Sequence, residues 1–334
     1  MKKKLTVLMT ILTCASAGAS VNKVIYGEDD RTHLNDSELA IFKELARATA
    51  GMIPNTKLEK KFDGLLTLVK GETLEKAMRV CKDEKFSQVM TAANCSGFLV
   101  GKNLLVTAGH CITSEAACKN NQWVFDFRQD LLKEGETELY VNSDNVYGCK
   151  KIISQSLSRV SKNDYALIEL DRDVTDREPL KFRSEGKIET NDPLVVIGHP
   201  SGLPTIIADG ANVRTNDNDF FFQANLDTFG GNSGSAVFNA KTNTVEGILV
   251  RGERDYAFDP QSGCNRVFKC KDDECRGEDV TRITVIPELA PGMTPEEPVI
   301  EEEELDNPFA IPGLFPTEDC NPFIPGSCPD SLFN

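Results

Sequence analysis

From about residue 62 to 286 the chain runs in short apolar stretches separated by Gly, Asn, Asp and Pro. The stretches are 64–69, 97–100, 104–108, 123–127, 166–170, 194–198, 220–224, 236–238, 246–250 and 280–286. Many short strands at this spacing predict an all-β sandwich or barrel and not a parallel α/β sheet; spacing alone does not choose between sandwich and barrel. Residues 20–61 read as a short leading segment. Val24-Ile25-Tyr26 is a brief strand pattern ended by Gly27. Asn35, Asp36 and Ser37 then offer helix caps, and Leu39, Phe42, Ala46 and Ala50 recur at helical spacing before Gly51. Two ends fall outside this pattern. At the start, Lys2, Lys3 and Lys4 precede an apolar stretch over 5–12 and the small residues Ala15, Ala17 and Ala19, which reads as an export signal over 1–19. Cleavage before Cys14, as in a lipoprotein, is disfavoured by Thr13, which is larger than that signal usually accepts. At the end, residues 287–334 collect Pro287 and most later prolines with the acidic run 301–304, a composition that cannot build much core and is expected to be extended.

Charge changes this picture little. The net charge of −15 is unevenly spread, because no Lys or Arg follows Arg282 while the acids continue to Asp330. Without that stretch the chain carries only about −4. No basic patch dominates, which argues against a nucleic-acid partner. Cysteine usage says more. Of 11 cysteines, Cys14 lies in the signal, and the rest form an even set that reads as a disulfide framework in an exported chain. A zinc site would need clustered Cys or His, and there are only 3 His, none near a Cys-x-x-Cys pair.

Three segments carry candidate chemistry: Cys95-Ser96-Gly97 with Thr107-Ala108-Gly109-His110-Cys111; Asn163-Asp164-Tyr165; and Gly230-Gly231-Asn232-Ser233-Gly234-Ser235. A serine hydroxyl is a weak nucleophile and needs a base, and imidazole titrates in the right range. A buried carboxylate fixes the imidazole tautomer and stabilises the imidazolium that forms. Backbone N–H donors must converge on the tetrahedral oxyanion, and glycines beside the serine let the chain turn tightly enough to supply them. Each segment alone has an ordinary reading as a turn or a core histidine. Their joint occurrence in the order His, Asp, Ser is much more specific. His33 and His199 sit in no matching segment, and His199 reads as a turn residue near the second half of the domain.

These motifs resemble the chymotrypsin/trypsin-like serine peptidases, with the Gly-Asn-Ser form similar to the bacterial branch that includes the glutamyl endopeptidases. The resemblance spans 95–286 and implies two six-stranded antiparallel β-barrels, with an N-terminal helical segment and the acidic proline-rich tail outside them. It implies His110 as general base, Asp164 as its orienting carboxylate and Ser233 as nucleophile, with the N–H groups of Gly231 and Ser233 as the oxyanion hole. Cys95 and Cys111 match the disulfide beside the histidine. Val250, Arg251 and Gly252 match the strand along which substrate pairs. A serine acyl-enzyme needs neither cofactor nor metal, so none is expected; the expected partners are protein or peptide substrates, and the enzyme is expected to be a secreted or periplasmic monomer without a membrane anchor. The competing class is a catalytically weak or inactive binding protein on the same scaffold. An α/β-hydrolase is discounted because it orders its triad Ser, Asp, His.

Two departures limit what carries over. Asn232 stands where trypsin-type zymogens have an Asp, and an amide cannot make their activating ion pair. Leu249 stands where the glutamyl endopeptidases place a His. For substrate choice, counting back 6 positions from Ser233 gives Asp227. Its carboxylate would favour Lys or Arg before the cut, with Glu278 adding negative charge, or else it simply caps its own loop. Arg251 would favour an acidic residue further upstream. A cut between Lys23 and Val24 would release a propeptide. Cys118–Cys149 and Cys320–Cys328 are pairings expected from proximity, while Cys81, Cys264, Cys270 and Cys275 leave three pairings open.

Overall fold

The computed structural model describes residues 25–291 apart from Leu39, Glu253, Asp272 and Asp273. The export signal, Val24, Cys320, Cys328 and nearly all of the acidic tail therefore lie outside the described residues.

Two closed β-barrels follow one another along the chain. The first is built from β1 (Thr49–Pro54), β2 (Cys95–Leu99), β3 (Leu104–Thr107), β4 (Asn121–Phe125), β5 (Val146–Leu157) and β6 (Asp164–Leu170). Its strands pair in the order β4-β5-β6-β3-β2-β1 and close through β1 on β4. The second uses β7 (Pro193–Gly198), β8 (Ile206–Thr215), β9 (Phe221–Ala224), β10 (Ala236–Asn239), β11 (Thr244–Arg251) and β12 (Glu278–Arg282). These run β7-β10-β11-β12-β9-β8 and close through β8 on β7, so six antiparallel strands make each barrel. The strand Arg31–His33 adds to an edge of β8.

The period-2 alternation of strands assigns the cores. Along β7, Leu194 and Val196 fill the second barrel with Phe222, Val237, Leu249 and Val280, while Val195 and Ile197 turn outward and join the first core. That outward face fuses the barrels, because Phe238, Ile248 and Val250 likewise pack with Trp123, Phe98 and Ile168.

The leading segment departs from expectation. The helix covers only Ala40–Leu45, a 3-10 turn follows at Ala46–Ala48, and Ala50 lies in a barrel strand. Residues Thr49 to Ile53 are buried without a break, on both faces of the strand. Pairing with both β2 and β4 offers β1 a full set of ladder bonds that an isolated short helix cannot match. The first barrel thus takes strand β1 from the segment before residue 62.

Among the described residues, four disulfides join Cys95 to Cys111, Cys118 to Cys149, Cys81 to Cys264 and Cys270 to Cys275. The first two are the pairings expected from the sequence, and the last two select one of the three that it left open.

Candidate active site

His110 and Asp164 are delivered by different strands of the first barrel. After β3 the chain turns sharply at Ala108-Gly109, where the Cys111 N–H donates to the Ala108 carbonyl. Gly109 is required here because a Cβ would lie 2.1 Å from the Ser156 carbonyl oxygen of β5. Asp164 opens β6 after a tight hairpin in which Ser158 Oγ accepts from the N–H groups of Val160 and Ser161. The Asp164 side chain is only 2% exposed. A carboxylate removed from water in this way needs donors on its oxygens. His110 supplies two: its backbone N–H reaches Oδ1 at 3.0 Å, and its Nδ1 lies 2.9 Å from Oδ2. The second contact assigns the Nδ1–H tautomer and leaves Nε2 as the free basic nitrogen of a partly exposed ring.

Ser233 comes from the loop before β10 and is tied to the first barrel beside His110. The Ser96 N–H donates to the Ser233 carbonyl at 2.8 Å. Cys111 Sγ, one residue beyond His110, lies 3.7 Å from the same oxygen. Gly234 (φ +92°) could carry no side chain, since a Cβ would fall 2.0 Å from the Ser96 carbonyl oxygen.

The loop's peptide planes are fixed from behind. Gly230 O accepts from the Ser201 N–H, and Asn232 O accepts from the Ser235 N–H. In a trans peptide the N–H points opposite to the C=O. These anchors therefore turn the N–H groups of Gly231 and Ser233 the other way, and neither donates to a protein acceptor among the described residues. Gly231 Cα packs so closely on the turn His199–Gly202 that a Cβ would sit 2.5 Å from the His199 carbonyl oxygen.

Residues 95–248, a little under half of the chain, match the family model described as a trypsin-like peptidase domain. Over that stretch the chain is similar to a peptidase, a hydrolase of peptide bonds. No curated protein matches the chain. Among solved structures it is similar to a Glu endopeptidase in complex with MPD, at 16% identity and a TM-score of 0.45, covering 74% of this chain and 94% of that one. It is also similar to the Vibrio cholerae VesB protease, at 13% identity and a TM-score of 0.43, covering 78% of this chain and 65% of that one.

Beside Ser233 lies a cavity of about 150 Å³, lined in part by Thr228, Val250, Arg251, Gly252, Asp255 and Glu278. Its floor is acidic. Glu278 is buried, and its Oε2 accepts from Thr228 Oγ at 3.0 Å. The opening above it depends on Gly252, where a Cβ would lie 1.7 Å from Glu278 Oε2. Asp255 holds the Gly230 N–H at 2.7 Å, and burial raises its pKa.

Asp227 does not line this cavity. Its carboxylate turns back to accept from the backbone N–H groups of Tyr26 at 2.8 Å and Asp30 at 3.0 Å. The reason is that the buried N-terminal segment brings N–H donors to the back of the loop, and those donors need an acceptor. Neither reading offered by the sequence describes Asp227: it accepts from N–H groups of a distant segment and not of its own loop. Burial pushes its pKa up to about 7, against the lowering effect of the two N–H donors.

Other expected residues have structural surroundings. His199 is fully buried, with Nδ1 on the Leu203 carbonyl and its ring stacked on Phe127, and burial lowers its pKa to about 4. The one grouping of metal-ligating atoms among the described residues is Cys95, His110 and Cys111, and the two sulfurs are joined as a disulfide. Sequence reasoning passed over Ser96. It is buried in β2, its Oγ donates to the Gly231 carbonyl at 2.8 Å and accepts from the His199 N–H at 2.9 Å. A small polar residue inside an apolar strand was the available signal.

Proposed function

We propose that the chain is a secreted serine endopeptidase that cleaves after Lys or Arg through an acyl-enzyme. The observation that carries this reading is the buried Asp164–His110 pair, with Nε2 left free, beside the loop that bears Ser233. In this mechanism Nε2 takes the Ser233 hydroxyl proton as Oγ attacks the substrate carbonyl carbon. Asp164 stabilises the imidazolium that results. The Gly231 and Ser233 N–H groups hold the oxyanion. The imidazolium then protonates the leaving amine, and a water activated by the same nitrogen hydrolyses the ester. Glu278 and Asp255 give the adjoining cavity the charge for a basic side chain, a role the sequence alone assigned to Asp227. Four disulfides suit the oxidising compartment that secretion or a periplasm provides. Release of the segment before Val24 belongs to the same reading, since Ile25 and Tyr26 are buried in the domain.

The test is a peptide-library profile of the wild type with Ser233→Ala as control. The reading expects cleavage after Lys and Arg, lowered by roughly four to six orders of magnitude in the variant. A Ser233→Ala protein with wild-type turnover ends the proposal. Cleavage after other residues overturns the basic pocket and leaves the triad standing.

A further inference from the structure

Arg251 ends β11 and lines the cavity beside Ser233, yet its guanidinium is spent inside the protein. Its Nη2 donates to the Lys162 carbonyl at 2.9 Å, its Nε lies 3.2 Å from Asp279 Oδ2, and its Nη1 lies 3.5 Å from Asp164 Oδ2. Lys162 and Asp164 belong to the hairpin and strand of the first barrel, whereas Arg251 and Asp279 belong to the second. Among the described residues, Arg251 is the one Lys or Arg in ion-pair contact with Asp164.

We propose that Arg251 is a positioning residue that clasps the two barrels across the cleft and holds the Asp164 carboxylate against His110. The inference rests on the peptidase reading above. Three features support it. First, the oxygen that meets the imidazole is the one that meets the guanidinium, so the cation opposes rotation of the carboxylate away from Nδ1. Second, the proposed base and nucleophile sit on different barrels, and a fork of fixed geometry bonded to both resists their separation. Third, the charge is already matched: Asp279 is shared with Arg276 at 2.6 Å, so two guanidiniums face two carboxylates. Arg251 is therefore not an open cation awaiting an acidic substrate side chain, the role the sequence suggested.

The experiment compares wild type, Arg251→Met and Arg251→Lys on small single-residue esters, which reach no upstream subsite, and on peptides with Glu or Ala upstream of the cut. The clasp predicts that Arg251→Met lowers kcat by about 10- to 100-fold on both kinds of substrate, with KM within about threefold, and that Lys restores part of the loss. An Arg251→Met enzyme with wild-type kcat on the esters, losing only its preference for acidic peptides, overturns the clasp. If Arg251→Met does not fold, Asp279→Asn decides the matter, because it removes the guanidinium's anchor in the second barrel. A several-fold lower kcat then supports the clasp, and an unchanged kcat overturns it. A wild type inert towards every ester and peptide removes the peptidase reading itself, and the clasp with it. An active wild type with an unaffected variant removes the clasp alone.

Discussion

The proposed catalytic half of the site and its proposed substrate-facing half are built differently. His110, Asp164 and Ser233 come from three short motifs that bond to one another and to one strand, β2, whose Ser96 reaches the loop at both Gly231 and Ser233. The cavity draws on Glu278 from the last strand, and on Gly252 and Asp255 from the segment just after β11, with the N-terminal segment held behind the loop through Asp227. Each motif of the first half is readable in a few consecutive residues. The second is an agreement among parts far apart in the chain. Changes in the first should abolish the reaction, and changes in the second should redirect or modulate it.

The largest effect is expected at Asp164. Asp164→Asn presents an amide to Nδ1 and favours the wrong tautomer, so kcat should fall by about 10⁴-fold at neutral pH with the fold intact. Steady-state kinetics alongside near-ultraviolet circular dichroism checks this, and a loss under tenfold would show that the carboxylate does not orient His110. Next, Glu278→Gln should cost basic substrates about 10- to 100-fold in kcat/KM and spare the reaction with a small ester lacking a charged side chain. Asp227→Asn should leave that selectivity unchanged. The reverse outcome, with selectivity following Asp227, would show that the basic pocket is not built on Glu278. Gly252→Ala should act in the same direction as Glu278→Gln, raising KM for long basic side chains because the new Cβ meets the Glu278 carboxylate.

One further effect, at Asp227, reads as stability and not as rate. Its pKa is raised by burial to about 7 from the ordinary 3.8. Between these values the folded protein keeps a proton that the unfolded chain has lost. Stability should therefore be fully present below about pH 4 and fall as pH rises towards 7, by up to about 4 kcal/mol from this group. Asp227→Asn titrates no proton there. The wild-type minus variant difference in denaturant midpoints should become steadily less favourable to the wild type over that window. A difference independent of pH would show that the carboxylate is ionised throughout.

How much could be read from the sequence follows the same division. The all-β class was legible because its strands are short apolar runs bounded by turn residues, whereas the two barrels came only from the family resemblance; the motif residues were legible because glycines beside His110 and Ser233 mark places where the backbone tolerates no side chain. Strand β1 was misread because Ala46 and Ala50 fit helical spacing, while the strand is buried on both faces and shows no in-out alternation, so only pairing with β2 and β4 marks it as a strand. Asp227 was misread because a position counted from Ser233 says nothing about which way its side chain turns. That was decided by Tyr26 and Asp30, some two hundred residues upstream. Arg251 fits the same rule: its partners Lys162, Asp164 and Asp279 come from both barrels.

The central claim is that Ser233 is a nucleophile activated by His110. Labelling with a fluorophosphonate probe, followed by mass mapping of the modified peptide, tests it without knowledge of the substrate. The account predicts one adduct, on Ser233, in the wild type, and its loss in His110→Ala under the same conditions. A folded wild type that takes up no label, or an adduct on Ser233 that forms equally fast without His110, would contradict it.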